Sequence, residues 1–169
     1  YNDLVKTYPV YNSNDSLANT GYGDAKGFEL FWRDRKTFKG VDYWVSYSYL
    51  DTKRDYLNYP GLMKPNFAAD HTASLFVKKF VMNMKTQFNA SYTFATGRPY
   101  YNLRYDNLSN RYKIYDNGKT VSFNSLSLSV NYLPNINKTG ASKFSVLVLS
   151  VNNVLNSNNI YGYNYSYNG

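Results

Sequence analysis

Three stretches of this chain alternate apolar residues with small neutral polar ones at period two, and that alternation constrains the fold more than any other feature. In "TQFNASYTFATG", Phe88, Ala90, Tyr92 and Phe94 fall on one side of an extended chain, with Gln87, Asn89, Ser91 and Thr93 on the other. "SLSLSVNYLP" sets Leu126, Leu128, Val130 and Tyr132 against Ser127, Ser129 and Asn131. "VDYWVSYSYL" sets Val41, Tyr43, Val45, Tyr47 and Tyr49 against Asp42, Ser46 and Ser48, with Trp44 as the exception. A soluble sandwich also alternates, but its outer faces carry more Lys and Glu. Here the second face is Ser, Thr and Asn, and Glu29 is the single glutamate of the chain. Such a face suits a wet lumen, as in a transmembrane barrel.

The aromatic content points the same way. Among 169 residues there are 20 Tyr, 10 Phe and 2 Trp, and rings with one wet end concentrate at membrane interfaces and ligand-binding surfaces. No run of about 18 apolar residues occurs, which excludes a transmembrane helix. The mean hydropathy of −0.56 is no obstacle to a barrel, whose alternating strands average to a low value. Without cysteine there is neither a disulfide framework nor a thiolate metal site. A charge of +8 permits an anionic partner without identifying one. "YNDLVKTYPV" lacks the basic start and apolar stretch of a signal peptide, so the chain is expected to begin within a structural element.

The pattern predicts about seven strands, near 1–8, 21–35, 41–55, 70–80, 85–97, 121–133 and 142–154. Connections at 36–40, 81–84 and 134–141 are expected to be short, and those at 9–20, 56–69, 98–120 and after 155 long. Alternation of tight turns and long loops is the layout of an outer-membrane barrel. An odd strand count leaves two edges unpaired, so the seven strands are expected to be part of a larger wall. Strands of some 15 residues span roughly 50 Å at about 3.3 Å each, whereas a bilayer crossing needs about 9–11 residues.

Catalytic and cofactor motifs are not found. Asp70 and His71 are adjacent, and adjacent residues on a strand point to opposite faces. "YDNLSN" and "YDNGKT" lack the ligand spacing of a calcium loop, and Asp116, Asn117 and Gly118 read as a turn. "GYGDAKG" spaces its glycines G-x-G-x-x-x-G before a strand-like segment, which is not a dinucleotide fingerprint. Gly21, Gly23, Gly27 and Glu29 share one strand face, opposite Phe28, Leu30 and Trp32, and make a nearly bare stripe where the strand bends or another backbone approaches. The basic residues are spread over turns and loops, not clustered as nucleic-acid binding requires. The loop "GRPYYNLRYDNLSNRYKIY" interleaves Arg98, Tyr100, Tyr101 and Arg104 in the manner of a ligand-capturing surface.

"NTGYGDAKGFELFWRDRK", "DYWVSYSYLDTKRDY", "FAADHTASLFVKKF", "YTFATGRPYYN" and "LSVNNVLNSNNIYGYNYS" occur in an order that resembles the C-terminal barrel of TonB-dependent outer-membrane receptors of the Bacteroidetes type. The resemblance spans essentially the whole chain. It implies an all-β, antiparallel up-and-down transmembrane β-barrel of about 22 strands, present here as a partial wall, in the outer membrane of a Gram-negative bacterium. The plug domain, the TonB-binding segment and the final strands are expected to lie outside residues 1–169. The implied function is import of a scarce nutrient, whether siderophore, cobalamin, glycan or peptide, without covalent chemistry and without a cofactor.

On that resemblance the outer loops carry Arg98, Tyr100, Tyr101, Arg104, Tyr161, Tyr163 and Tyr165 toward ligand. Gly23, Gly27, Glu29, Ser46, Ser48, Gln87, Asn89 and Ser91 face the lumen or plug. The expected partners are outer-membrane lipid, the plug of the same full-length chain, TonB and a surface lipoprotein, but not nucleic acid. The alternatives are a β-rich surface binding module, such as an adhesin or glycan-binding sandwich, and a barrel component of a larger outer-membrane complex.

Overall fold

The computed structural model of the chain describes residues 2–8, 16–137, 143–163 and 165. Its nine strands are β1 (Leu4–Tyr8), β2 (Ser16–Asp34), β3 (Val41–Asp55), β4 (His71–Val81), β5 (Thr86–Ala95), β6 (Pro99–Asp106), β7 (Arg111–Lys119), β8 (Phe123–Tyr132) and β9 (Leu147–Val151). No α-helix occurs among the described residues. Seven strands form one sheet in the order β1-β2-β3-β4-β5-β8-β9, and β6 and β7 form a separate hairpin inserted between β5 and β8. Every pairing between strands is antiparallel. The all-β antiparallel expectation therefore holds, and the sheet is open, with β1 and β9 at its edges.

The pleat sorts the side chains as the alternation demands. One row crosses the sheet as Trp32, Val45, Leu75, Tyr92 and Leu126, and the next as Tyr43, Val77, Ala90, Leu128 and Val151. On the opposite face the rows read Ser46, Ser74, Thr93, Ser125 and then Lys78, Asn89, Ser129, Ser150. Nothing among the described residues covers the apolar side: Leu30 is 62 % exposed, Trp32 54 % and Leu149 71 %. Among the described residues the buried hydrophobic side chains are Tyr59 and Ala68, which belong to a loop and not to the sheet.

Four expectations are corrected. First, β2 begins at Ser16, so the first connection is residues 9–15, which lie outside the described residues, and is no longer than many turns. Second, the ladder between β8 and β9 stops at Tyr132↔Leu147, and residues 143–146 are not strand. The last connection is therefore 133–146, not short, of which 138–142 are outside the described residues. The expected alternation of loop lengths holds only in the middle of the sheet, where short connections 35–40 and 82–85 alternate with long ones 56–70 and 96–122. Third, residues 98–120 are a hairpin, because "PYYNLRYD" and "RYKIYDNGK" also alternate. Fourth, Asp116–Gly118 lies inside β7, and the turn falls at the earlier Asp-Asn pair. There the Asp106 carboxylate accepts from Leu108 N at 3.2 Å and Ser109 Oγ at 2.7 Å, and Asn110 takes a left-handed φ of 51°.

The turn between β2 and β3 is built the same way: Asp34 Oδ1 accepts from Lys36 N at 2.6 Å and Thr37 N at 3.1 Å, and Gly40 supplies a φ of 74°. Register between β2 and β3 is unbroken from Tyr22↔Asp55 to Asp34↔Tyr43, so the parity of the glycine stripe is kept. A Cβ on Gly27 would meet the Tyr49 carbonyl oxygen of β3, and one on Gly23 would lie 2.7 Å from the Lys53 carbonyl oxygen. The glycines let β2 coil closely against β3 within the sheet. Valine normally favours a strand, so Gly27→Val makes a pointed test. It is expected to lower stability in denaturant titrations by about 1–3 kcal/mol. Gly61→Val, at a position with nothing within 4 Å, should change it by no more than about 0.5 kcal/mol. Equal effects would show that the close approach does not matter.

Candidate functional site

Among the described residues loop 56–70 holds the buried hydrophobic side chains, Tyr59 and Ala68, and its anchoring explains where the site lies. Lys6 pairs with Asp55 and donates to the Tyr59 carbonyl at 2.9 Å, while Leu57 N donates to Val5 O at 2.7 Å. Arg54 and Met63 exchange backbone bonds of 2.8 and 3.0 Å, and the Arg54 guanidinium sits 5.1 Å over the Phe67 ring. Asp70 pairs with Lys64 and, at 3.3 Å, with Lys119 of β7. The loop is thereby tied to β1, β3 and the β6–β7 hairpin at once. Arg54 and Thr52 belong to the face that carries Ser46 and Ser48, so the loop folds over the long-loop end of the polar face.

The hairpin is positioned by a second close approach. A Cβ on Gly97 would overlap the Thr120 carbonyl oxygen. Thr120 N donates to Arg98 O at 2.9 Å and Arg98 N to Thr120 Oγ1 at 3.0 Å, clamping the base of the hairpin. Gly97 of "TGRPY" is thus needed where two backbones meet.

Between the loop, β6 and the segment 161–165 lies a cavity of about 370 Å³. Tyr100, Tyr101, Tyr161, Tyr163 and Tyr165 all line it, so five of the seven expected ligand-facing residues come together. Tyr100 packs edge-on to Tyr163 at 4.7 Å, and Tyr101 packs edge-on to Tyr59 at 5.9 Å. The two arginines are placed elsewhere. Arg98 lies 5.6 Å over Tyr161 and lines a neighbouring cavity of about 220 Å³, and Arg104 lies 4.2 Å over Tyr115. Asn58, Tyr59, Asn66 and Asn102 complete the lining and were not found by sequence reading. No local signal marks them, because their role depends on which way loop 56–70 folds.

Burial raises the pKa of Tyr59 and Tyr101 above the ordinary phenol value. Desolvation and then the hydrogen bond to Asp116 raise that of Tyr165. All three hydroxyls therefore stay protonated and able to donate at neutral pH. At the hairpin tip Lys113, Ser109 and the Leu108 N–H hold Asp106 at about 2.

The expected lumen-facing residues all lie on the polar face. Glu29, Ser46 and Ser48 line a depression of about 310 Å³, with Glu29 opposite Ser48, Gly27 opposite Leu50 and Gly23 opposite Arg54. Gln87 Nε2 donates to Asn89 Oδ1 at 2.6 Å within β5, and Asn89 Nδ2 donates across to Ser129 Oγ at 3.0 Å, while Oδ1 of Asn131, opposite Gln87, is buried without a partner. Asn89 and Ser91 border a second hollow of about 310 Å³ together with Trp44 and Phe76. There Trp44 stacks on Phe76 at 4.9 Å, Arg33 lies 5.4 Å over Trp44, and Asp42 accepts from Arg33 at 2.6 and 2.8 Å. Asp70 and His71 do not meet: Asp70 holds lysines, while His71 Nδ1 hydrogen-bonds Tyr47 Oη at 2.7 Å on the other face.

Against known protein families, curated proteins and solved structures the chain has no match.

A raised phenol pKa contributes stability that is complete below the ordinary value of about 10 and lost as pH rises through the folded value. In an alkaline titration followed by tyrosinate absorbance, Tyr59, Tyr101 and Tyr165 are expected to ionise above the ordinary phenol range, together with collapse of the near-ultraviolet circular dichroism. A single homogeneous step at the ordinary value would contradict the buried placement of Tyr59 and Tyr101.

Proposed function

We propose that this chain is part of the wall of an outer-membrane TonB-dependent receptor that imports a scarce nutrient, with the apolar face toward lipid and the polar face toward the lumen. The observation that carries this reading is the uncovered apolar face running through every strand from β2 to β9 of the sheet, while the opposite face is rich in Ser, Thr, Asn and Gln and also carries Phe31, the stacked Trp44 and Phe76, and Asp42 paired with Arg33 and Lys78. Along β5 the apolar residues run from Phe88 to Phe94, roughly 20 Å at about 3.3 Å per residue.

Aromatic residues flank the apolar face at both ends. Phe28, Tyr47, Tyr49 and His71 cluster toward the long loops, with ring centroids 5.2 to 6.1 Å apart. Trp32, Phe38 and Tyr43 cluster at the short turns, at 5.3 and 5.8 Å. Paired aromatic belts of this kind mark the two interfaces of outer-membrane barrels. Toward the long loops Tyr47 Oη and His71 Nδ1 share a hydrogen bond of 2.7 Å, and Tyr92 Oη donates to Asn124 Oδ1 at 2.7 Å.

In this reading the mechanism is gated passage. The long-loop end captures the ligand, the plug of the full-length protein occupies the lumen, and pulling on the plug through TonB opens a path along Ser46, Ser48, Gln87, Asn89 and Ser91. The path offers exchangeable hydrogen bonds and no fixed charge in those positions, so a polar ligand can move along it without being trapped.

Two substitutions one residue apart test the reading. In the intact protein, Leu128→Arg puts a cation on the apolar face and is expected to cost about 2–4 kcal/mol of stability in a bilayer. Ser127→Arg, on the polar face, should cost much less. If the protein is recovered in buffer without detergent and Leu128→Arg is harmless, the membrane reading is wrong and a water-exposed binding module is favoured.

A further inference from the structure

We propose that the tyrosine-lined cavity binds a neutral, polyhydroxylated ring ligand, a short uncharged oligosaccharide. The inference rests on the receptor reading for the ligand's fate, import, but not for its binding.

Among the described residues the lining consists of six tyrosines and three asparagines with Pro99, Leu103 and Gly162, and contains no charged residue. In a chain of net charge +8 that absence is informative. An anionic ligand such as a ferric chelate or a phosphorylated sugar would be expected to meet a cation in the lining. Arg98 and Arg104 are instead stacked over Tyr161 and Tyr115, outside the lining. A cationic ligand would meet the field of a basic chain with no carboxylate in the lining; Asp116, which accepts from Tyr165 Oη at 3.0 Å, is not part of it.

What remains is a ligand with apolar faces and many hydroxyls. Tyrosine rings offer flat apolar surface for the C–H faces of a sugar ring, and each phenol and amide both donates and accepts, as a sugar hydroxyl does. The protonated Tyr59 and Tyr101 keep that dual role at neutral pH. The volume of about 370 Å³ is at the low end for a ligand cavity, which suits a short oligosaccharide.

The geometry is also preset. Tyr100 stands opposite Gly118 in the β6–β7 register, and a Cβ at Gly118 would lie 2.5 Å from the Tyr100 phenol oxygen and 2.6 Å from its Cζ. Tyr100 therefore lies across the bare backbone of β7, with its ring in edge-type contact with Tyr163. Gly118 is a positioning residue for this site: any side chain there lifts the Tyr100 ring.

The test is calorimetric titration of the intact, detergent-solubilised protein with three neutral trisaccharides (maltotriose, cellotriose and mannotriose), with trigalacturonic acid and with a proline-rich peptide. At least one neutral trisaccharide is expected to bind, and the acid and the peptide are not. Tyr163→Ala, on a half-exposed segment away from the sheet, should weaken binding at least tenfold. Gly118→Val should do the same with the circular dichroism of the sheet retained, and Tyr105→Ala, at the far end of the hairpin, should have no effect. Failure of all three neutral sugars to bind folded protein, preferential binding of the acid or the peptide, or sugar binding indifferent to Tyr163→Ala and Gly118→Val overturns the proposal. Sugar binding by protein that is soluble without detergent would leave this inference standing and remove the receptor reading instead.

Discussion

A single layer of sheet has two faces and can bury neither by itself, and every feature of this chain answers to that constraint. The sheet strands from β2 to β9 present apolar side chains on one side and mainly polar ones on the other, and among the described residues no second sheet or helix packs on either. The polar face can meet water, and cross-strand contacts such as Asn89 to Ser129 satisfy some of its groups, although Asn131 Oδ1 is buried without a partner. The apolar face cannot, because side chains as large as Phe28, Leu30 and Leu149 gain nothing from water. The proposed solution is lipid on that face and further wall beside the unpaired edges of β1 and β9.

The same constraint separates the tyrosines by task. Those at odd positions of β3 and even positions of β5 belong to the apolar face and its rims. Tyr59 of loop 56–70, Tyr100 and Tyr101 of β6, and Tyr161, Tyr163 and Tyr165 gather around a cavity at the long-loop end of the polar face. Two glycines make that second gathering possible, Gly97 by admitting the Thr120 backbone and Gly118 by leaving room for the Tyr100 ring.

Much of the sheet was legible in the sequence because period-two alternation is a local signal that survives in any antiparallel context. The bounds of β3 were read as they stand, Val41–Asp55, since alternation there is long and ends at clear turn residues. Edge strands were not: β9 has one partner, so its extent is set by where the β8 ladder stops rather than by its own residues. The β6–β7 hairpin was passed over because its tyrosines and arginines resemble loop composition, and Gly118 was read as a turn although a strand glycine can serve a neighbouring ring. Of the site, the five tyrosines were legible as a class. Asn58, Tyr59, Asn66 and Asn102 were not, because their convergence is made by the long-range anchors at Lys6, Arg54 and Asp70.

The chain's two tryptophans stand on opposite faces of adjacent strands, Trp32 on the apolar side and Trp44 on the polar side. This makes the central claim directly measurable. With each as the sole tryptophan of the intact protein in bilayers, fluorescence quenching by lipids brominated in the acyl chain reports which face meets hydrocarbon. The account predicts strong quenching of Trp32 and little of Trp44, and quenching of Trp44 equal to or greater than that of Trp32 would contradict it.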